Sequence, residues 1–126
     1  MGTRSLTFVY DGPRSKIINL YRQYDGYPSG HGAELAAFLS PFKVGNGIGR
    51  ETTNYANGMG CLAAQLVAHF KDGAGQFYLH PVTAKDCGQD YEYHVYEDKV
   101  VVKKYDGRVI FKGTWDKFET FCAEAE

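Results

Sequence analysis

Cysteine is scarce here and does not pair. The chain has three, Cys61, Cys87 and Cys122, an odd count with no C-x-x-C spacing. That argues against a disulfide framework and against a zinc ribbon. Cys61 and Cys122 fall in helix-like stretches, where a thiol reads as a small core residue. Long apolar runs are missing too: none approaches the roughly 18–20 residues of a membrane span. The opening MGTRSLTFVYDG lacks the basic-then-apolar pattern of a secretion signal, so a cytosolic protein with no membrane partner is expected. MGTRSL loosely fits a myristoylation signal. Strand patterning begins at once, however, and a buried first strand leaves no free anchor.

Charge of one sign is also lacking. Fourteen basic and fifteen acidic side chains leave a net charge of −1. A general nucleic-acid binder carries a large basic excess, so long DNA or RNA is not the expected partner. A small anion needs only two or three well-placed arginines. Catalytic signatures are absent: there is no G-x-S-x-G, H-E-x-x-H or Walker A sequence. His31, His69, His80 and His94 include no i, i+4 pair on a helix, and neither a metal nor a cofactor is expected. A Cys–His nucleophile is weak on the same grounds, because Cys61 sits beside an apolar helix stripe.

Tyrosine and glycine, by contrast, are abundant: ten tyrosines and fifteen glycines among 126 residues. Tyrosine pairs a flat face with a polar tip, and glycine lets backbone approach a ligand closely. The length fits one domain, 1–126, with a core that needs no staples.

Alternation over 4–10, the turn DGPR and the run KIINLYR (16–22) predict a β-hairpin. A short helix follows over roughly 32–40, with Leu35, Phe38 and Leu39 on one face and Pro41 as its stop. Residues 42–60 read as a long glycine-rich loop, of the kind that is often functional. The clearest helix carries Met59, Leu62, Ala63, Leu66, Val67 and Phe70 on one stripe, with Asn57 as cap and Gly73 as terminator. Strands are predicted over 75–82 and 91–98, then a second Asp-Gly hairpin of 99–105 and 109–113. A terminal helix follows, capped by Thr114. The expected class is α+β, with a mostly antiparallel sheet of about five or six strands built from hairpins and two or three helices. In the strand from 91, Tyr91, Tyr93 and Val95 face one way and Glu92, His94 and Tyr96 the other. Both faces therefore need cover, one from the core and one from a subunit interface.

The corner YRQYDGYPSGHG (21–32) is the densest stretch. It holds three tyrosines, three glycines, Arg22 and His31. By alternation Arg22 shares a face with Ile18 and Leu20, so its charge wants an anionic partner. Asp25 and a ligand phosphate both answer, the latter because the guanidinium fork matches phosphate oxygens. Tyr27-Pro28 fixes the turn with or without a ligand. In the glycine-rich loop, GNGIGR with Arg50, Asn54 and Asn57 precedes a helix N-terminus, where amide groups and the dipole favour an anion. A plain surface loop fits those residues equally. Arg108, in the late hairpin turn, either reaches an adjoining pocket or is simply solvated.

TRSLTFVYDG, the LYRQYDGYP signature at 20–28 leading into ELAAFL, and the later GMGCLAAQLVAHF resemble a group of small phage-encoded proteins, the Thoeris anti-defence family, type one. The resemblance rests mainly on the N-terminal third. It implies a non-enzymatic sponge, acting in the cytoplasm of the infected bacterial host. Such a protein holds immune signalling nucleotides uncleaved. The ligands are cyclic ADP-ribose isomers, with cyclic di- or trinucleotides at separate sites in some members. It further implies a pocket between subunits of a homo-oligomer, a dimer or a hexamer. In that pocket arginines hold the phosphates and an aromatic ring stacks on adenine. Carried onto this chain, Arg22 and Arg108 are the expected phosphate ligands and Phe77 or Tyr78 the base-stacking ring. Arg50, Asn54, Tyr27 and His31 are further candidates. A sponge must bind at nanomolar concentration, about −12 kcal/mol. Two rivals stay open: a protein-binding inhibitor of a defence enzyme, and a nucleotide-cleaving enzyme using Glu34, Asp25, His31 or His94.

Overall fold

The computed structural model describes residues 2–47 and 53–125. Its fold is α+β, as expected. Strands β1 (Ser5–Tyr10) and β2 (Lys16–Arg22) form the first hairpin. A five-residue π-helical turn, Pro28–Gly32, runs straight into α1 (Ala33–Leu39). The long glycine-rich segment is not wholly irregular. Its described ends contain β3 (Lys43–Gly45) and β4 (Tyr55–Asn57), which pair in parallel as a separate two-stranded sheet. Each is three residues long, too short for periodicity to register. Helix α2 (Gly58–Phe70) follows, then β5 (Phe77–His80), β6 (Tyr91–Val95), β7 (Val100–Lys104), β8 (Val109–Gly113) and α3 (Trp115–Glu124).

The main sheet has six strands in the order β5-β2-β1-β6-β7-β8. β1 and β6 run parallel, and the other neighbours are antiparallel. One register row reads Phe77–Arg22–Ser5–Tyr91–Lys104 across β5, β2, β1, β6 and β7. That row marks the end of the sheet from which the corner 23–32 springs.

All three helices cover one face. Leu35, Leu39, Leu62, Leu66, Phe70 and Phe118 pack there onto Val9, Leu20, Tyr93, Val95, Val100 and Val102. Burying each large side chain contributes about 1.5–3 kcal/mol. Thr114 caps α3 as expected, its hydroxyl accepting from the Lys117 N–H at 3.4 Å. Asn57 does not cap α2 with its side chain; its Oδ1 instead accepts from the Gly47 N–H at 2.7 Å.

The opposite face differs from expectation. It buries Leu6, Phe8, Tyr10 and Tyr21, with Tyr96 and Cys87 packed against them. Cover comes from the chain's own connection between β5 and β6. There the Pro81 carbonyl accepts from Asn19 Nδ2, and Gln89 Nε2 donates to Glu92 Oε2. The open edge of β5 is blunted by Lys71, whose Nζ donates to the Phe77 carbonyl at 2.6 Å and to that of Gly75 at 3.0 Å. A charged side chain laid over an edge strand discourages further strand pairing.

Gly26 shows how tightly the corner lies on β1. Its N–H donates to the Thr3 carbonyl at 2.8 Å, and its own carbonyl accepts from Tyr93 OH at 2.7 Å. A Cβ there would stand 2.8 Å from the Arg4 carbonyl carbon and 2.9 Å from Ser5 N. Backbone cannot yield as a side chain can. Gly26→Ala is expected to destabilise the fold by about 1–3 kcal/mol or more, read as a lowered urea midpoint. An unchanged midpoint would mean that the corner is not seated on β1.

Candidate functional site

Arg22 ends β2 with its side chain on the helix-covered face, and only 4% of it is exposed. Burying a guanidinium costs several kcal/mol unless its donors are met. Here the corner meets those on Nε and Nη1. Nε donates to the Tyr24 carbonyl at 2.8 Å. Nη1 donates to Glu34 Oε2 at 2.6 Å and lies 3.2 Å from His31 Nδ1. The guanidinium carbon stands 5.0 Å above the Phe77 ring. Glu34, half exposed on α1, is therefore the ionic partner, and Asp25 is not. Asp25 takes a left-handed backbone, φ 61°, and its carbonyl accepts from the His31 N–H at 2.8 Å.

Arginine only donates, which settles the His31 tautomer. Nδ1 accepts from Arg22, so Nε2 carries the proton and donates to Thr7 Oγ1 at 2.7 Å. His31 is fully buried among Phe70, Phe77 and Tyr93. Burial first, and the Arg22 charge second, hold its pKa down to about 3. It is a neutral hydrogen-bond bridge with no surface for a ligand.

The remaining expected site residues scatter. Phe77 is 4% exposed and packed against Phe70, so it cannot stack a base as it stands. Tyr78 is 48% exposed but points to the other face of the sheet from Arg22, beside Tyr21 and 5.3 Å from Lys71 Nζ. Asn54, at φ 56°, lines a distant cleft of about 460 Å³ with Phe38, Pro41, Phe42, Gln65 and His69. Arg50 lies outside the described residues. Arg108 follows Lys104 in the exposed turn at the same end of the sheet as Arg22. Four strand spacings separate them, roughly 19 Å.

What the structure does gather at that end was not assembled from the sequence. Tyr24, Tyr27 and Tyr105 are exposed at 44%, 36% and 72%. Tyr91 is half-buried beneath Lys104, whose Nζ lies 5.9 Å from its ring centre. Thr3, Asp90, Tyr91, Lys104 and Tyr105 line a cleft of about 230 Å³. Arg108 lies in the adjoining turn, its carbonyl accepting from the Lys104 N–H, and is not among the residues lining the cleft. Flat rings and cations side by side suit a ligand with a base and phosphates. The grouping depends on the parallel β1–β6 pairing, which brings residues 91 and 104 level with residues 5 and 22.

Two arrangements look catalytic on paper. On the second face Tyr10 OH meets His94 Nδ1 at 2.6 Å, and His94 Nε2 meets Glu92 Oε1 at 2.9 Å. The His94 hydrogen bond holds the Glu92 carboxyl below its usual range. Tyr10, however, is buried and stacked on Tyr96, and burial raises its phenol pKa well above the ordinary value. Cys87 Sγ lies 3.7 Å from His80 Nδ1, but burial, Asp86 and Glu92 push the thiol up as well. Neither group is activated as a nucleophile. Among the described residues no cluster of three His, Cys, Asp or Glu side chains forms a metal site, and no helix is long and apolar enough to cross a membrane.

The buried His31 sets a pH dependence. An unfolded chain takes up its proton near pH 6.5, whereas the folded one resists down to about pH 3. Stability is therefore full above the unfolded value and falls as pH drops below it, by about 1.4 kcal/mol per unit. Denaturant midpoints between pH 6.5 and 5 should show this slope, above the range where Glu92 adds its own. His31→Asn should flatten it; the same slope in that variant would assign it elsewhere.

Comparison with protein-family models, with curated proteins and with solved structures returns no match.

Proposed function

We propose that this chain binds a small signalling nucleotide and holds it uncleaved, as a phage sponge against a bacterial immune signal of the cyclic ADP-ribose type. The observation that carries the reading is the cleft at this sheet end where Tyr91 and Tyr105 stand with Lys104; Arg108 lies in the adjoining turn, and Tyr24 and Tyr27 are exposed on the corner at the same end. Its rings offer stacking faces for adenine and its cations offer charge for the phosphates. The resemblance of residues 20–28 to the sponge family points the same way.

In this reading Arg22 works from beneath. Buried, and bonded through Nε and Nη1, it holds Tyr24 and the π-helical turn in place, while Lys104 and Arg108 meet the ligand. The cleft at this end, about 230 Å³, is smaller than the roughly 300–1,000 Å³ typical of small-molecule sites. Nanomolar holding needs a deeper enclosure. A second copy of the chain supplies the missing wall, which makes the sponge a homo-oligomer. A separate observation favours the rival of a protein-binding inhibitor: Leu79 and Tyr78 are 60% and 48% exposed on β5.

A sequestration-and-release assay tests the proposal. Purified protein is mixed with a cyclic ADP-ribose signal made by a TIR-domain enzyme and filtered out. Effector activation by the filtrate is measured, then measured again after heat denaturation of the mixture. Signal lost and recovered intact is the expected result. Tyr105→Ala should weaken retention by about 1–3 kcal/mol, the value of one stacked base, and Arg108→Ala should weaken it too. Signal lost and not recovered would make the protein an enzyme. Signal never lost, with tight capture of a defence protein, would favour the inhibitor.

A further inference from the structure

At the other end of the sheet, the turn between β1 and β2 faces the connection between β5 and β6. Together they form a cleft of about 510 Å³ lined by Arg14, Ser15, Lys16, Val82, Thr83 and Lys85. Three of those six side chains are cations and none is a carboxylate. Among the described residues no ion pair engages Arg14, Lys16 or Lys85. Lys16 Nζ rests 4.1 Å over the buried Phe8 ring, which fixes where its charge sits. The lining itself thus carries three positive charges, in a chain of net charge −1.

Like charges repel, and three cations lining one concavity without a carboxylate among them cost stability unless something answers them. The cleft supplies more than charge. Ser15 and Thr83 bring hydroxyl donors from its two sides. Cations and hydroxyls converging from separate segments suit a tetrahedral oxyanion, each oxygen of which accepts from a different direction. The volume exceeds that of a bare ion and falls within the range of small-molecule sites.

We propose that this cleft is a binding site for the phosphate group of a small molecule. Arg14, Ser15 and Lys16 lie at the opposite end of β1 and β2 from the tyrosine cluster, while Lys85 also borders an intervening cleft with Asp86, Asp90, Glu92 and Tyr105. The opposite flank of the same turn is a cleft of about 460 Å³ that includes Asp11, Glu97 and Asp98. That acidic flank gives an internal control. It is also the surface a second copy would present if the basic cleft were a subunit contact instead.

The test is an amide-resolved NMR titration of the isotope-labelled chain at low salt, with inorganic pyrophosphate in one series and adenosine monophosphate in another. Saturable shifts at residues 14–16 and 82–85 are expected. Equal affinity in the two series identifies a site for the phosphate itself; tighter binding of the nucleotide identifies one for a phosphate carried on a nucleoside. Arg14→Glu and Lys85→Glu change exposed side chains, so their thermal midpoints should match the parent. Each should weaken binding by about tenfold or more, and the loss should shrink in high salt. Asp11→Asn should leave binding intact. Absence of saturable shifts in both series overturns the proposal, as does binding unaffected by the two reversals. A change in sedimentation mass in Lys85→Glu, with no anion bound by the parent, reassigns the cleft to a contact between copies.

Discussion

Everything distinctive about residues 21–32 follows from placing an arginine inside the core. Arg22 occupies a position that alternation commits to the buried face, and a buried guanidinium must find acceptors for its donors. It finds them in the segment that follows: the Tyr24 carbonyl, His31 Nδ1 and the Glu34 carboxylate. The chain must therefore fold back on itself at once. Asp25 takes the left-handed backbone that this requires, Gly26 passes against β1 without a Cβ, and the π-helical turn delivers His31 beneath the sheet. Thr7 completes the chain of hydrogen bonds from β1. Replacing Arg22 with an apolar residue would leave His31 Nδ1 and the Tyr24 carbonyl without donors, about 1–3 kcal/mol each where they are buried. Glu34 would lose less, because it already reaches water.

The same economy governs the second face. A sheet buried on both sides normally reads as continuous apolar sequence, yet this one carries Asn19, Glu92, His94 and four tyrosines there. Those polar groups are tolerated because they largely satisfy one another. Tyr10, His94, Glu92 and Gln89 form one line of hydrogen bonds under the β5–β6 connection. That solution also shifts the groups it buries. Groups that would be reactive in water are held with raised phenol and thiol pKa values.

Most of the architecture was legible because it is local. Hairpins, the α2 stripe and the Thr114 cap are written in adjacent residues. What could not be read was long-range. The parallel pairing of β1 with β6 joins residues 86 positions apart, Ser5 with Tyr91 and Val9 with Val95, and no alternation pattern encodes which strands meet. That pairing decides which candidates share a surface. It sends Arg108 to the same end as Arg22 but strands away, and places Phe77 in the core with Tyr78 on the far side. His31 misled for a related reason. Beside an exposed Tyr27 it looks like a surface residue, and only the π-helical turn explains why it points inward. Glu34 was visible as a helix carboxylate, but its pairing with Arg22 needed the corner's backbone path.

A near-neutral chain is easily taken for one without electrostatic purpose. Here the balance is a cancellation between separate regions. Lys104 and Arg108 stand among tyrosines at one end of the strands; Arg14, Lys16 and Lys85 converge at the other; Asp11, Glu97 and Asp98 lie on the flank of the second group. Fields of this size decay within about 8–10 Å at physiological salt. A long polyanion would sample all of them and gain little, whereas a small ligand feels only the cleft it enters. On the proposed function, this distribution suits compact anions better than extended ones.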